Sequence, residues 1–235
     1  MAEPLSKKNS SDGLSVKVVR ILSFGKNEAS MLKGESPPNS FPQTMMMNQT
    51  VWYTPGGIRS HIISMMTSFK KITADKSKET RVFDTIAQSG SSNFYQLVEA
   101  DKTATRQQIV SLHKMNVMMH PGRNPGDSMF ALFMSSFMPG LMQVPPLDTI
   151  GRFEGYFNLL GRRCEKRLIS EGKGKKAANM TVWITRIAGR TVLMRITLRS
   201  HENTVLLLDS LSVQVVKTPA HFVELPVGYT IKEAD

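Results

Sequence analysis

The pattern of apolar and polar residues changes character along the chain. Four segments of the last third are rich in Val, Thr, Ile and Leu, as strands typically are: Met180–Ile187, Thr191–Leu198, Thr204–Leu208 and Ser212–Lys217. Short polar breaks at Ala188-Gly189-Arg190 and at residues 200–203 separate them and are typical of hairpin connections. This third of the chain is therefore predicted to form an antiparallel meander.

Elsewhere the same pattern predicts both strands and helices. Further strands are predicted over Val16–Phe24, Met45–Tyr53 and Gln107–Met119. Apolar residues at helical spacing predict helices over Ile58–Lys71, Arg81–Gln88 and Arg152–Ile169. Three glycines weaken the last of these helices, because glycine is a poor helix former. The expected fold class is α+β, a single compact domain in which an antiparallel sheet packs with a few helices.

Composition divides the chain near residue 44. Residues 1–44 are polar and contain Pro37, Pro38 and Pro42, so they are predicted to be a mobile arm and a proline-containing tether. The alternative for residues 35–42 is a short extended recognition segment. Residues 45–235 are predicted to be the globular domain.

Charge points to the class of partner. Thirty Lys and Arg against nineteen Asp and Glu give a net charge of +11, which favours binding to nucleic acid or anionic lipid. Between Arg152 and Arg199, twelve basic and three acidic residues leave a net +9. The alternative interpretation is a solvated face around a core. The predicted polyanion-binding residues are Arg162, Arg163, Lys166, Arg167, Lys173, Lys175 and Lys176.

An uncharged run from Ser128 to Leu147 precedes this basic region. It is long enough to span a membrane, but Pro139-Gly140 and Pro145-Pro146 would break a spanning helix. The run is therefore either a buried helix and loop or an exposed patch for membrane insertion or self-association. The residues assigned to the second role are Met129, Phe130, Leu132, Phe133, Phe137, Met138 and Leu141.

Signals for catalysis are weak. The five histidines show no metal-ligand spacing with one another or with Cys164, the only cysteine, and no catalytic motif is present. No catalytic residue, metal or cofactor is predicted, and we expect a binding protein rather than an enzyme. With a single cysteine and no apolar signal segment at the N-terminus, a reducing compartment is expected.

Three short motifs resemble the matrix proteins of rhabdoviruses. One is an apolar segment ending in Gly90-Ser91-Ser92-Asn93, which resembles an apolar helix of that family. The second is His120-Pro121-Gly122-Arg123, and the third is Leu207-Leu208-Asp209-Ser210-Leu211-Ser212, which resembles the family's last strand. The likeness covers residues 45–217, and its departures fit a distant member, such as one that infects plants. Pro37-Pro38-Asn39-Ser40 lacks the tyrosine of the family's budding motif.

The resemblance implies a viral structural protein that self-associates, binds the inner face of an acidic membrane and condenses the ribonucleoprotein during assembly and budding. It places the protein in the virion beneath the envelope, and in the cytoplasm, membrane or nucleus of the host. The viral glycoprotein is a further candidate partner. Two alternatives stay open: a nucleic-acid-binding movement or nucleocapsid-type protein, and an enzyme of an unrecognised family.

Overall fold

The described part of the chain is almost entirely β. The computed structural model describes residues 13–25, 44–69, 76–109, 136, 139, 151–171, 178–200 and 203–234. These residues form twelve strands and one short 3₁₀ helix. The predicted α+β class is therefore wrong here: the strands build one large sheet, and three segments expected to be helices belong to it.

Two antiparallel meanders make up most of the sheet. The first contains β1 Gly13–Gly25, β2 Thr44–Thr54, β3 Gly57–Phe69, β4 Lys76–Gln88, β5 Asn93–Val98 and β6 Thr103–Gln108. The second contains β7 Arg152–Leu159, β8 Arg162–Glu171, β9 Ala178–Ile187, β10 Arg190–Ser200 and β11 Asn203–Thr218. The 3₁₀ helix Ala220–Val223 and the strand β12 Thr230–Glu233 follow.

The two meanders join where β1 pairs antiparallel with β11. The strand order is β12-β6-β5-β4-β3-β2-β1-β11-β10-β9-β8-β7, with β12 parallel to β6. The edge strands are therefore β12 and β7. The predicted meander over residues 180–217 is confirmed, although its last two strands are the single strand β11.

The segment assigned to the N-terminal arm contributes to the middle of this sheet. The predicted strand Val16–Phe24 is confirmed within β1, and β1 pairs with β2 as well as with β11. The predicted strand Met45–Tyr53 is likewise confirmed within β2. The chain thus enters the sheet well before residue 44.

The helices predicted over Ile58–Lys71 and Arg81–Gln88 are wrong, because these segments lie in β3 and β4. Along β3 the buried side chains are Ser60, Ile62 and Ser64, which alternate with more exposed neighbours. Two of these three buried residues are polar. The sequence of β3 therefore lacks the alternation of apolar and polar residues that would have indicated a strand. Ser60 can be buried because its hydroxyl pairs with that of Thr85 on β4, 2.5 Å away.

The helix predicted over Arg152–Ile169 is also wrong, since this segment folds back on itself as the β7–β8 hairpin. Leu160 and Gly161 form its turn with φ values of 51° and 71°, and positive φ at both positions is typical of a type I′ turn. Phe153, Tyr156 and Phe157 are all exposed, and their spacing with Leu160 imitates a helix. The glycines that weakened the helix prediction were the informative signal.

The family motifs fall on strands and turns. Residues 90–92 belong to the connection between β4 and β5, and Asn93 begins β5, whereas an apolar helix was expected before them. Gly90 adopts a left-handed conformation in this connection, with a φ of 77°. Leu207–Ser212 do lie in a strand, the central part of β11. The second motif, His120-Pro121-Gly122-Arg123, lies outside the described residues.

The sheet bends strongly around its own interior. Arg162 on β8 donates a hydrogen bond of 3.5 Å to the carbonyl of Val213 on β11, three strands away. Arg190 on β10 donates one of 2.7 Å to the carbonyl of Thr54 on β2. In a flat sheet the backbones of β8 and β11 would be about 14 Å apart. These contacts therefore require the second meander to curve back over the first.

Burial follows from this curvature. One cluster joins Leu22 and Met47 of the first meander to Val182 and Ile196 of the second. A second cluster contains residues of β1 and β8–β10, among them Val18, Cys164 and Met194. On β10 the consecutive residues 192–194 are all buried, so both faces of that strand are covered. Much of the core thus lies where the two meanders meet.

The segment after β11 covers the opposite end of the sheet. A third cluster packs Phe222 and Val223 against Ile86 and Tyr95 of β4 and β5. Arg59 on β3 donates a 3.2 Å hydrogen bond to the carbonyl of Phe222 and lies 5.0 Å from the centre of its ring. This packing brings β12 to the edge beside β6.

Arg20 is the one charged side chain among the buried residues of the described core. Its Nε donates to Oε1 of Gln49 at 2.6 Å, and a terminal nitrogen donates to the carbonyl of Ser136 at 2.9 Å. Burial lowers the pKa of Arg20, while Tyr53 counteracts this shift. Neutral acceptors thus make burial of the guanidinium tolerable, because they replace hydrogen bonds to water.

Several predicted features lie outside the described residues. They are the strand beyond Ile109, nearly all of the uncharged run and the basic tip at Lys173, Lys175 and Lys176. The membrane or self-association residues Met129, Phe130, Leu132, Phe133, Phe137, Met138 and Leu141 lie outside as well. Within the uncharged run, Ser136 is described and is buried beside Arg20.

Replacing Gln49 with leucine removes a hydrogen-bond acceptor of Arg20 and puts an apolar side chain of similar size in its place. A buried charged donor then loses a partner, so we expect the free energy of unfolding to fall by about 1.5–3 kcal/mol. Chemical denaturation measures this change. Asn48→Leu, at the exposed neighbouring position, is the control and should change it by less than about 0.5 kcal/mol. Equal effects of the two variants would contradict the role given to Gln49.

Candidate polyanion-binding hairpin

The β7–β8 hairpin lies at one edge of the sheet and brings four of the predicted basic residues together. β8 pairs with β7 on one side and with β9 on the other, so β7 is the outermost strand. Arg162, Arg163, Lys166 and Arg167 all lie on β8, within a span of six residues. The four residues thus lie together on one strand, whereas the sequence had predicted a helix for this segment.

β7 has little contact with the core. All eight of its residues are exposed or only partly buried. The exposed fractions of Phe153, Tyr156 and Phe157 are 47%, 53% and 46%, and that of Leu160 in the turn is 51%. Large apolar side chains at this exposure on an edge strand are typical of interaction surfaces, since the core gains little from them.

The cations of β8 lie over the aromatic rings of β7. The guanidinium of Arg163 is 3.8 Å from the ring centre of Tyr156, and that of Arg167 is 5.9 Å from the ring centre of Phe153. Lys166 Nζ is 5.2 Å from the ring centre of Phe157. Each cation is attracted by the negative face of its ring. The hairpin thus carries three cation–aromatic pairs side by side.

The three pairs use both faces of the hairpin. Opposite Arg167 on β8 is Phe153, and opposite Glu165 is Tyr156, so these residues share a face with Arg163. Phe153 and Tyr156 also pack edge to face, with ring centres 5.1 Å apart. Phe157 lies on the other face. The aromatic edge is therefore accessible from both sides of the sheet.

Buried residues of β8 anchor the hairpin. Cys164 is completely buried against the second core cluster, and Ile169 packs into the first. Burial raises the pKa of the Cys164 thiol, which favours its neutral form and an apolar packing role. The basic side chains between these anchors are held by a strand fixed to the core, while β7 extends beyond it.

Ion pairs leave part of the positive charge available. Arg152 pairs with Glu154 at 2.7 Å, and Arg167 pairs with Glu165 at 3.1 Å. Among the described residues, neither Arg163 nor Lys166 has an acidic partner within ion-pair distance. These two cations are thus the best placed to meet an external anion.

The aromatic residues of this site were missed as site residues. They were interpreted as the apolar face of a helix, because Phe153, Tyr156, Phe157 and Leu160 follow helical spacing. Two features could have identified them: glycines at positions 151, 155 and 161, and the basic run that directly follows the aromatic one. Glycine-bounded segments of this kind are better matched by a hairpin than by a helix.

A small cleft lies at the base of the hairpin. It has a volume of about 290 Å³ and is lined by Gly151, Arg152, Leu168, Ile169 and Ser170. The hydroxyl of Ser170 donates to Oδ1 of Asn179 at 2.6 Å. The cleft thus places a polar wall and the exposed Arg152 at one end of the aromatic edge.

Polar side chains elsewhere in the described residues form small groups, one of which pairs His61 with Asp84. His61 Nδ1 is 2.8 Å from Oδ1 of Asp84, its partner on the neighbouring strand. No three His, Cys, Asp or Glu side chains in the described ranges come together as metal ligands. The same part of the chain contains no helix with the length and apolar character needed to cross a membrane.

Comparison with known proteins adds no family. The sequence matches no protein-family model and no curated protein. The resemblance to rhabdovirus matrix proteins therefore stays a prediction.

Gly151→Ala tests how the hairpin is joined to the sheet. Gly151 has a φ of 54°, and an added Cβ would lie 2.4 Å from the carbonyl oxygen of Leu168 on β8. We expect faster amide hydrogen exchange along β7 and β8, because the pairing must shift to remove this overlap. Hydrogen-exchange mass spectrometry on the folded chain measures it.

Gly161→Ala, in the hairpin turn, is the matched control. Gly161 also has a positive φ, 71°, but an added Cβ would have no atom within 4 Å. It should therefore cause only the backbone cost of a left-handed alanine, about 1–2 kcal/mol. A larger exchange effect for Gly161→Ala than for Gly151→Ala would contradict this geometry.

Proposed function

We propose that the protein is a non-enzymatic structural protein that binds polyanions through the β7–β8 hairpin. The observation that carries this proposal is the set of cations of β8 held over exposed aromatic rings of an edge strand. Arg163 and Lys166 have no acidic partner within ion-pair distance in the described part of the chain, so no neighbouring carboxylate neutralises their charge. The net charge of +11 favours the same class of partner.

We propose that the protein uses this polyanion binding as a viral matrix protein does, during assembly of the virion. The protein would self-associate, coat the inner face of an acidic membrane and condense the viral ribonucleoprotein. Its support is the basic and aromatic hairpin together with the short family motifs in the sequence. The helix expected from the first motif is replaced by a strand and a turn, so the hairpin supports the proposal better than the resemblance does.

An acidic membrane surface is the second candidate partner. Exposed Phe, Tyr and Leu side chains beside Lys and Arg are also found where peripheral proteins bind acidic bilayers. Leu160 at the tip of the hairpin, with an exposed fraction of 51%, favours this alternative. A test of the proposal therefore includes both nucleic acid and acidic vesicles.

Reversing the charges of Arg163 and Lys166 tests the proposal. The double variant Arg163→Glu, Lys166→Glu should bind RNA and acidic vesicles at least about tenfold more weakly at low salt, because both partners are held by charge. Fluorescence anisotropy measures RNA binding, and co-sedimentation measures vesicle binding. The salt dependence of RNA binding should also become shallower, because fewer counterions are released.

A control variant with the same change in net charge separates site from bulk charge. Lys102→Glu, Lys232→Glu reverses two exposed lysines at the opposite edge of the sheet, one in the turn between β5 and β6 and one on β12. We expect it to retain most of the binding. If the control loses as much affinity as the hairpin variant, the hairpin is not the binding site.

A further inference from the structure

We infer that the hairpin binds single-stranded nucleic acid, whose bases stack on the exposed aromatic edge of β7. The inference rests on the proposed function and names its partner. Arg163 and Lys166 would contact phosphates, while Phe153, Tyr156 and Phe157 would contact bases. Polyanion binding alone would need only the cations. The exposed aromatic residues are therefore the evidence for base stacking.

The aromatic side chains favour a single strand over a duplex. In a duplex the faces of the bases are stacked on one another, and a protein contacts mainly phosphates and groove edges. A single strand exposes its base faces, and proteins that bind such strands combine a basic surface with aromatic side chains. Three exposed rings within five residues, each beside a cation, match the second arrangement.

The direction of the aromatic edge disfavours membrane insertion. Phe153 lies seven residues before Leu160 in the turn, which corresponds to about 23 Å along the strand. Directly after the turn come Arg162 and Arg163. If the hairpin inserted tip first, these charges would enter the bilayer ahead of the rings. A linear polymer lying along the edge can instead reach every ring in turn.

The accessibility of both faces fits a flexible chain. Phe153 and Tyr156 are on one face of the hairpin and Phe157 is on the other, so a partner must pass over the edge to contact all three. Single-stranded nucleic acid can bend in this way. The cleft beside Arg152 and Ser170 lies at the far end of the same edge and offers a place for a terminal base or phosphate.

Replacing Tyr156 with leucine tests the inference on the full-length chain. Leucine keeps an apolar side chain but removes the ring, so binding to a fluorescent oligouridylate should weaken about tenfold. Binding to the same strand annealed to oligoadenylate should change less than twofold. Binding to phosphatidylserine–phosphatidylcholine vesicles should also be retained. Tyr156→Phe should bind oligouridylate as the unmodified protein does, because it retains the stacking ring. This variant also shows that the site still folds after a substitution at position 156.

Tyr229→Leu is the matched control. Tyr229 also lies beside a cation, with Lys102 5.5 Å from its ring centre, but it is at the opposite edge of the sheet. We expect it to leave oligouridylate binding unchanged. An equal loss for Tyr229→Leu and Tyr156→Leu would overturn the assignment to β7.

The remaining outcomes separate this inference from the proposed function. Unchanged oligouridylate binding by Tyr156→Leu, with strong loss in Arg163→Glu, Lys166→Glu, would overturn stacking and leave polyanion binding standing. Loss of vesicle binding alone would assign the rings to a membrane and overturn the inference. Full binding of every partner by the charge-reversal variant would overturn the proposed function itself.

Discussion

The pairing of β1 with β11 is the contact on which the rest of the fold depends. Its register runs from Gly13 opposite Thr218 to Leu22 opposite Leu208, with a bulge after Val19. It joins a strand near the N-terminus to one near the C-terminus and so makes two meanders into one sheet. A bulge increases local twist, and the sheet bends strongly in this region. Without this pairing, the two meanders would lose the shared core, and the curvature that leaves β7 exposed would lose its support. The position of the exposed aromatic edge thus depends on a contact made far from it in sequence.

Strands β9 and β10 were predicted because they are rich in Val, Thr, Ile and Leu. Two of the three failed helix predictions can be traced to particular residues. In β3, buried Ser60 and Ser64 hide the alternation, since their burial depends on partners such as Thr85, which only the fold provides. In β7, the apolar residues are exposed, so their spacing in the sequence was not determined by packing against a core. Periodicity predicts structure only where burial selects the apolar residues, and neither segment meets that condition.

The basic residues of the candidate site could be selected from the sequence, but their contacts with the aromatic residues could not. Charge is visible in the sequence whatever the fold, so Arg162, Arg163, Lys166 and Arg167 could be selected from composition alone. Their relation to the aromatic residues could not, because Arg163 meets Tyr156 only once the chain reverses at Leu160-Gly161. The glycines at 151, 155 and 161 were the available sign of that reversal. Lys173, Lys175 and Lys176 lie outside the described residues, so their part in binding stays a prediction.

The central claim is that the aromatic edge of β7 is in direct contact with nucleic acid. Ultraviolet cross-linking of the full-length chain to a single-stranded RNA, followed by mass spectrometry of the cross-linked peptides, tests it most directly. We expect nucleotide adducts on Phe153, Tyr156 or Phe157, and their loss when unlabelled single strand competes. Adducts confined to other aromatic residues, such as Trp52 or Tyr229, would contradict it.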